Sequence, residues 1–247
     1  MTTVGTASPS GSLYVNGTAS APNAPGNLRV ENVQARGFGV RYDRGSNNGA
    51  GIEQDNFRWV RTRDGYLHWD DYGPSGYSAP FGIIDLDSAT EYQVYGRSRN
   101  AVGWGGFSGS VYQTTLPAKA STPSLSSTSP VVADVSWGGA SGAITGYDVQ
   151  LSPVSDFSSG VLSQSVSATN ATFTGLTPGT VFYGRVRAKS AGGAGEWSDT
   201  ATVRTLSGAR RFNGTQWQNC RARRWDGTQW RDVRIRRWNG TTWQNTR

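Results

Sequence analysis

Three stretches decide the fold: Val131-Val-Ala-Asp-Val-Ser-Trp137, Ile144-Thr-Gly-Tyr-Asp-Val-Gln-Leu151 and Phe182-Tyr-Gly-Arg-Val-Arg-Ala188. Each alternates apolar with polar residues, the period at which successive side chains of a strand point to opposite faces. Ala171-Thr-Phe-Thr-Gly-Leu176 and Thr202-Val-Arg-Thr-Leu206 continue the pattern. The first half repeats it in Asn27-Leu-Arg-Val-Glu-Asn-Val33, Phe38-Gly-Val-Arg-Tyr42, Asn56-Phe-Arg-Trp-Val-Arg-Thr-Arg63, Phe81-Gly-Ile-Ile-Asp-Leu86 and Tyr92-Gln-Val-Tyr-Gly-Arg-Ser98. Short runs at this spacing, divided by turn residues, predict antiparallel sandwiches. Gly, Ser, Thr, Val, Trp and Tyr dominate the 247 residues, a strand-and-turn profile rather than a helical one.

The remaining composition narrows the function. One His and one Cys leave no Cys/His metal site and no internal disulfide, and no cofactor is expected. A Ser-His-Asp arrangement would rest on His68 alone, which reads as a surface or loop histidine. Asp70 and Asp71 are neighbours, and neighbours on a strand point apart, so they make no acid–base pair. The chain is therefore expected not to be an enzyme. No apolar stretch approaches the length of a membrane span. The first residues lack the basic and apolar regions of a secretory signal.

Charge is segregated. The net charge of +7 comes from residues 207–247, which hold ten Arg and two Asp, whereas residues 1–206 are close to neutral. That segment is also an internal repeat of period 13: Arg210-Arg-Phe-Asn-Gly-Thr-Gln-Trp217, Arg223-Arg-Trp-Asp-Gly-Thr-Gln-Trp230 and Arg236-Arg-Trp-Asn-Gly-Thr-Thr-Trp243. Asn-Gly or Asp-Gly between alternating residues predicts a hairpin closed by a two-residue turn. In that register Arg236 pairs with Trp243 and Trp238 with Thr241. One face of each hairpin then carries two rings and an Arg: Phe212, Trp217 and Arg210; Trp225, Trp230 and Arg223; Trp238, Trp243 and Arg236. Such a face has three readings: a miniature core, a protein-docking surface, or a platform for glycan or nucleic acid, the last being disfavoured by the neutral body. Three hairpins without a staple are not expected to be stable alone, and self-association or an acidic partner should order them. Cys220 stands where the other copies have Val233 and Thr246 and reads as a small filler.

Residues 64–81 read as a long aromatic loop. Tyr66, Trp69, Tyr72 and Tyr77 are either a sugar or peptide platform or rings packing the loop on itself.

Both halves resemble fibronectin type III domains. Leu176-Thr-Pro-Gly-Thr-Val-Phe182 matches that family's corner, Trp137 its second-strand Trp and Tyr147 its third-strand aromatic. Ala188-Lys-Ser-Ala-Gly-Gly-Ala-Gly-Glu-Trp-Ser198 matches the hairpin before its last strand. Leu86-Asp-Ser-Ala-Thr-Glu-Tyr92 and Arg99-Asn-Ala-Val-Gly-Trp-Gly-Gly-Phe-Ser108 are the counterparts in the first half, where Tyr42 replaces the Trp and, at the other corner, Phe182 replaces a Tyr. The expected organisation is all-β: an arm or linker at 1–22, fibronectin type III-like sandwiches at 23–116 and 117–206, and a hairpin-repeat region at 207–247. The tail resembles the Trp-Asn-Gly-Thr-x-Trp repeats of minor tail and surface proteins of phages that infect actinobacteria. This implies a virion protein assembled in the bacterial cytoplasm, its sandwiches displaying binding surfaces to host cell-surface glycans and its Arg/Trp tail anchoring or oligomerising it, with other virion proteins and further copies of itself as partners. An accessory carbohydrate- or wall-binding module of a bacterial secreted polysaccharide system is the alternative.

Overall fold

The computed structural model describes residues 18–72, 80–207, 209–212, 214–220, 222–234, 236–238 and 241–245. Every regular element among them is a strand. Two compact units share the chain: Met1–Glu31, Gly39–Phe81 and Tyr92–Tyr112 in one, Asn32–Phe38, Gly82–Glu91 and Gln113–Arg247 in the other.

The first sandwich has a three-stranded sheet in the order β1 (Gly26–Gln34), β2 (Gly37–Asp43), β5 (Phe81–Ile83). Its five-stranded sheet runs β4 (Leu67–Tyr72), β3 (Ile52–Arg61), β6 (Glu91–Asn100), β7 (Gly103–Trp104), with β8 (Val111–Thr114) also on β6. The second repeats this plan: β13 (Asn170–Thr174), β10 (Val132–Ser136), β9 (Ser124–Ser129) against β12 (Leu162–Val166), β11 (Ile144–Ser152), β14 (Val181–Ser190), β15 (Gly193–Ala194), with β16 (Ala201–Arg204) on β14. The alternation read in the sequence is the buried alternation: Val181–Ser190 buries every second residue from Phe182, as Glu91–Asn100 does from Tyr92. The corner residues Leu86, Tyr92, Leu176 and Phe182 are all core. At each corner a buried threonine supports the turn. Thr115 Oγ1 donates to Asp87 O at 2.6 Å, and Thr205 Oγ1 to Thr177 O at 2.7 Å.

The two cores differ where the sequence differs. In the second, Trp137 packs edge-on against Tyr147, ring centroids 5.4 Å apart. In the first, Tyr42 stands at the Trp137 position and Asp55 at the Tyr147 position: Asp55 pairs with Ser98 as Tyr147 pairs with Ala188. Asp55 is fully buried. It accepts from Tyr42 Oη and from Ser98 Oγ, both at 2.6 Å, and forms an ion pair with Arg44. A ring-on-ring contact has thus been exchanged for a hydrogen-bonded carboxylate. Tyr42 Oη also lies 3.0 Å from Arg97 O, which holds its ring in place. A Cβ on Gly96 would collide with that ring. Gly96→Ala is therefore expected to destabilise the first sandwich by about 1–3 kcal/mol, the range for overpacking. Chemical denaturation would show it as a lower midpoint at unchanged slope.

Two expectations need correction. Residues 67–72 are not loop but strand β4. Arg61 N donates to Tyr66 O at 2.9 Å, Gly65 takes φ +71°, and Asp64 Oδ1 accepts from Tyr66 N at 3.1 Å, so a short turn returns the chain onto β3. Dense aromatic and acidic residues hid that alternation. The expected arm at 1–22 also ends in packed residues: Asn100 Nδ2 donates to Ser20 O at 2.7 Å and Asn48 Nδ2 to Ala21 O at 2.7 Å. Residues 1–17 lie outside the described residues.

Candidate functional site

The tail forms three separate two-stranded sheets: β17 (Ala209–Phe212) with β18 (Trp217–Cys220), β19 (Arg223–Trp225) with β20 (Trp230–Asp232), and β21 (Arg236–Trp238) with β22 (Trp243–Asn245). The hairpins are where the sequence places them, but their register is not. Trp225 pairs with Trp230, Phe212 with Trp217 and Trp238 with Trp243. Each loop therefore has four residues, not two.

The middle hairpin shows why. The Asp226 carboxylate accepts from the backbone N–H groups of Thr228 and Gln229, each at 2.9 Å, and from Thr228 Oγ1 at 2.8 Å. Asp226 N donates to Gln229 O at 3.1 Å, and Gly227 takes φ +104°. Asp-Gly opens the loop through side-chain capping instead of occupying both centres of a tight turn.

The register changes what the rings stand beside. Arg223 faces Asp232, not Trp230, and its Nε donates to Asp232 Oδ1 at 2.9 Å. Arg210 likewise pairs with Asn219 and Arg236 with Asn245. Trp225 and Trp230 meet at 5.7 Å between centroids, tilted by 58°, and remain 49% and 60% exposed. Arg223, Trp225 and Trp230 share a face, as expected from sequence, and Asp232 joins them. Arg224 sits directly opposite Arg231 on the other face, and Arg231 forms an ion pair with Asp226. The side chains of Arg210, Phe212, Trp217, Asn219, Arg236, Trp238, Trp243 and Asn245 lie outside the described residues, and only their strand register is given. Asn219, Asp232 and Asn245 were missed in the sequence, although their common place in the 13-residue period marks them.

The hydrogen bonds from Thr228 and Gln229, then those from the Thr228 hydroxyl and Arg231, hold the Asp226 carboxyl below the usual carboxylate range. A depressed folded-state pKa gives stability that is present above the unfolded value and lost as pH falls through the folded one. The middle loop should therefore loosen below about pH 4. The Asn213 and Asn239 copies, having no charge to lose, should not. Amide protection at Thr228 and Gln229, taken relative to the intrinsic exchange rate at each pH, checks this; protection that stays constant on acidification contradicts it.

The second candidate site lies on β4 and the turn that precedes it. Tyr66 is exposed in the β3–β4 turn with the Arg61 guanidinium 5.1 Å from its ring centroid. Trp69 pairs with Arg58, whereas Tyr72 pairs with the buried Asp55. The side chains of Trp69 and Tyr72 lie outside the described residues. Tyr77 lies outside the described residues. His68 is exposed on β4 and stacks on the buried Trp59 at 5.4 Å, an anchoring role.

Each five-stranded sheet also clamps arginines between rings. Arg97 lies 4.4 Å from the Trp104 centroid and 4.5 Å from that of Phe107; Arg185 lies 3.9 Å from Phe157 and 4.6 Å from Trp197. The serine after each second ring bonds back to the same strand. Ser108 Oγ accepts from Gly96 N and Ser198 Oγ from Val186 N, both at 3.0 Å.

Residues 119–204 match the family model for the fibronectin type III domain. The fibronectin type III match thus covers β9 through β16. Among solved structures, a two fibronectin type III domain segment of chicken tenascin is 18% identical, covers 74% of this chain and 100% of its own, and has a TM-score of 0.48. The FN1–FN3 domains of chicken CNTN1 are 20% identical, cover 76% of this chain and 69% of their own, with a TM-score of 0.40. No curated protein matches the chain.

Proposed function

We propose that this protein is a non-enzymatic structural protein of a phage virion, a minor tail or surface-decoration protein that serves in adhesion. In this reading the sandwiches act as spacers and the hairpin tail supplies the contact surface. The observation that carries it is the open ring face of the middle hairpin, with both tryptophans about half exposed although directly paired. Large exposed aromatic surface on a small element marks an interaction site. The same residues recur every 13 positions, and the repeat resembles those of actinobacterial phage tail and surface proteins. Fibronectin type III sandwiches suit the spacer role, because each buries its own core and leaves its surface free for display.

The test is to raise antibodies against residues 207–247 and label purified particles for electron microscopy. Specific labelling at one location on the particle, with the intact chain recovered from it, is the expected result. Particles that are free of the chain overturn the virion reading.

A further inference from the structure

We propose that the ring face of the middle tail hairpin is a saccharide subsite, and that the 13-residue repeat multiplies it for a linear polysaccharide. This deepens the adhesion reading by naming the chemistry of its partner.

The first argument is local. On the middle hairpin the two tryptophans are open to solvent, and the polar group beside them is not a lone cation but the Arg223–Asp232 pair at 2.9 Å. The face therefore offers apolar ring surface with a donor and an acceptor side by side. Sugars need this combination: their C–H faces lie on rings, and each hydroxyl both gives and takes a hydrogen bond. A phosphate backbone would meet a carboxylate at that place, which weakens a nucleic-acid reading.

The second argument is the repeat. At the same step of the period the other repeats have Asn219 and Asn245, in register with Arg210 and Arg236, and an Asn side chain offers both an acceptor and a donor. Ring pair, Arg and Asn or Asp thus recur together at every step of the period. Three equal units in tandem match a partner that itself repeats, and linked weak sites gain strongly from such a partner. A second copy of this chain is a poor occupant, because it would bring another segment with ten Arg and two Asp against the first.

The full-length chain should be applied to an array of linear oligosaccharides of two to eight sugars, neutral and uronate-bearing. Retention that strengthens with chain length is expected. Trp225→Ala with Trp230→Ala should weaken retention of the longest chains about tenfold or more. Asp232→Ala should weaken it too, while Asp232→Asn, which installs the residue found in the other two copies, should keep it. Four results overturn the proposal: no oligosaccharide is retained; retention is indifferent to the two tryptophans; a twenty-nucleotide thymidine strand binds more tightly than any sugar; or sedimentation shows an oligomer that the Trp225→Ala, Trp230→Ala variant dissolves. The purified chain answers this independently of particle labelling, so failure of the virion reading and failure of the saccharide reading are separable.

Discussion

Replacing Asp55 with alanine should lower the stability of the first sandwich by about 3–5 kcal/mol, the cost of removing one partner of a buried ionic network. The carboxylate is fully buried and serves three partners at once: the Tyr42 hydroxyl, the Ser98 hydroxyl and the Arg44 guanidinium. Its loss takes from the Tyr42 and Ser98 hydroxyls their shared buried acceptor and from the Arg44 guanidinium its counter-charge. For a domain of this size the melting temperature should fall by more than about 12 °C. The second sandwich supplies the compensating set. Tyr42→Trp, Asp55→Tyr and Ser98→Ala together install the residues found at Trp137, Tyr147 and Ala188, and should recover most of the loss. Calorimetry of the single and triple variants decides it: a shift under about 3 °C for Asp55→Ala would mean that the network contributes little.

Removing residues 207–247 should leave both sandwiches folded and abolish the envelope binding proposed above. The core of the second sandwich runs from Ala120 to Ala188, with Val203 packed against it, and among the described residues includes none from the tail. The tail is three hairpins that share no sheet. An isolated two-stranded hairpin is marginal in water, and the tail's arginines repel one another. The 1–206 fragment should unfold cooperatively within about 2 °C of the full chain. A 207–247 peptide should show no cooperative melt until a ligand is added. A fragment that loses cooperativity, or a peptide that melts sharply alone, would contradict the division.

Much of this architecture is legible in residue patterns. Alternation in 182–188 and 92–98 and the Leu-to-aromatic corners identify buried strands, because strand period and burial are one geometric fact. What stays hidden depends on partners distant in sequence. Asp55 looks like a surface residue until β3 is laid on β6 beside Ser98 and Tyr42 comes over it. The hairpins are readable from Asp-Gly and Asn-Gly, but the loop length is not. The same dipeptide either closes a two-residue turn or, when its carboxylate captures Thr228 and Gln229, opens a four-residue loop. That choice decides whether Arg223 meets a ring or Asp232, and with it the chemistry of the candidate face.

The central claim is that the ring faces of the tail make the contact. It is tested most directly by cosedimentation of the purified chain with cell envelopes of actinobacteria, the hosts that the proposed function implies. The full chain should pellet with the envelopes. A chain bearing Trp225→Ala, Trp230→Ala, Trp238→Ala and Trp243→Ala should stay in the supernatant with both sandwich transitions unchanged. Equal pelleting of the two proteins would contradict the account.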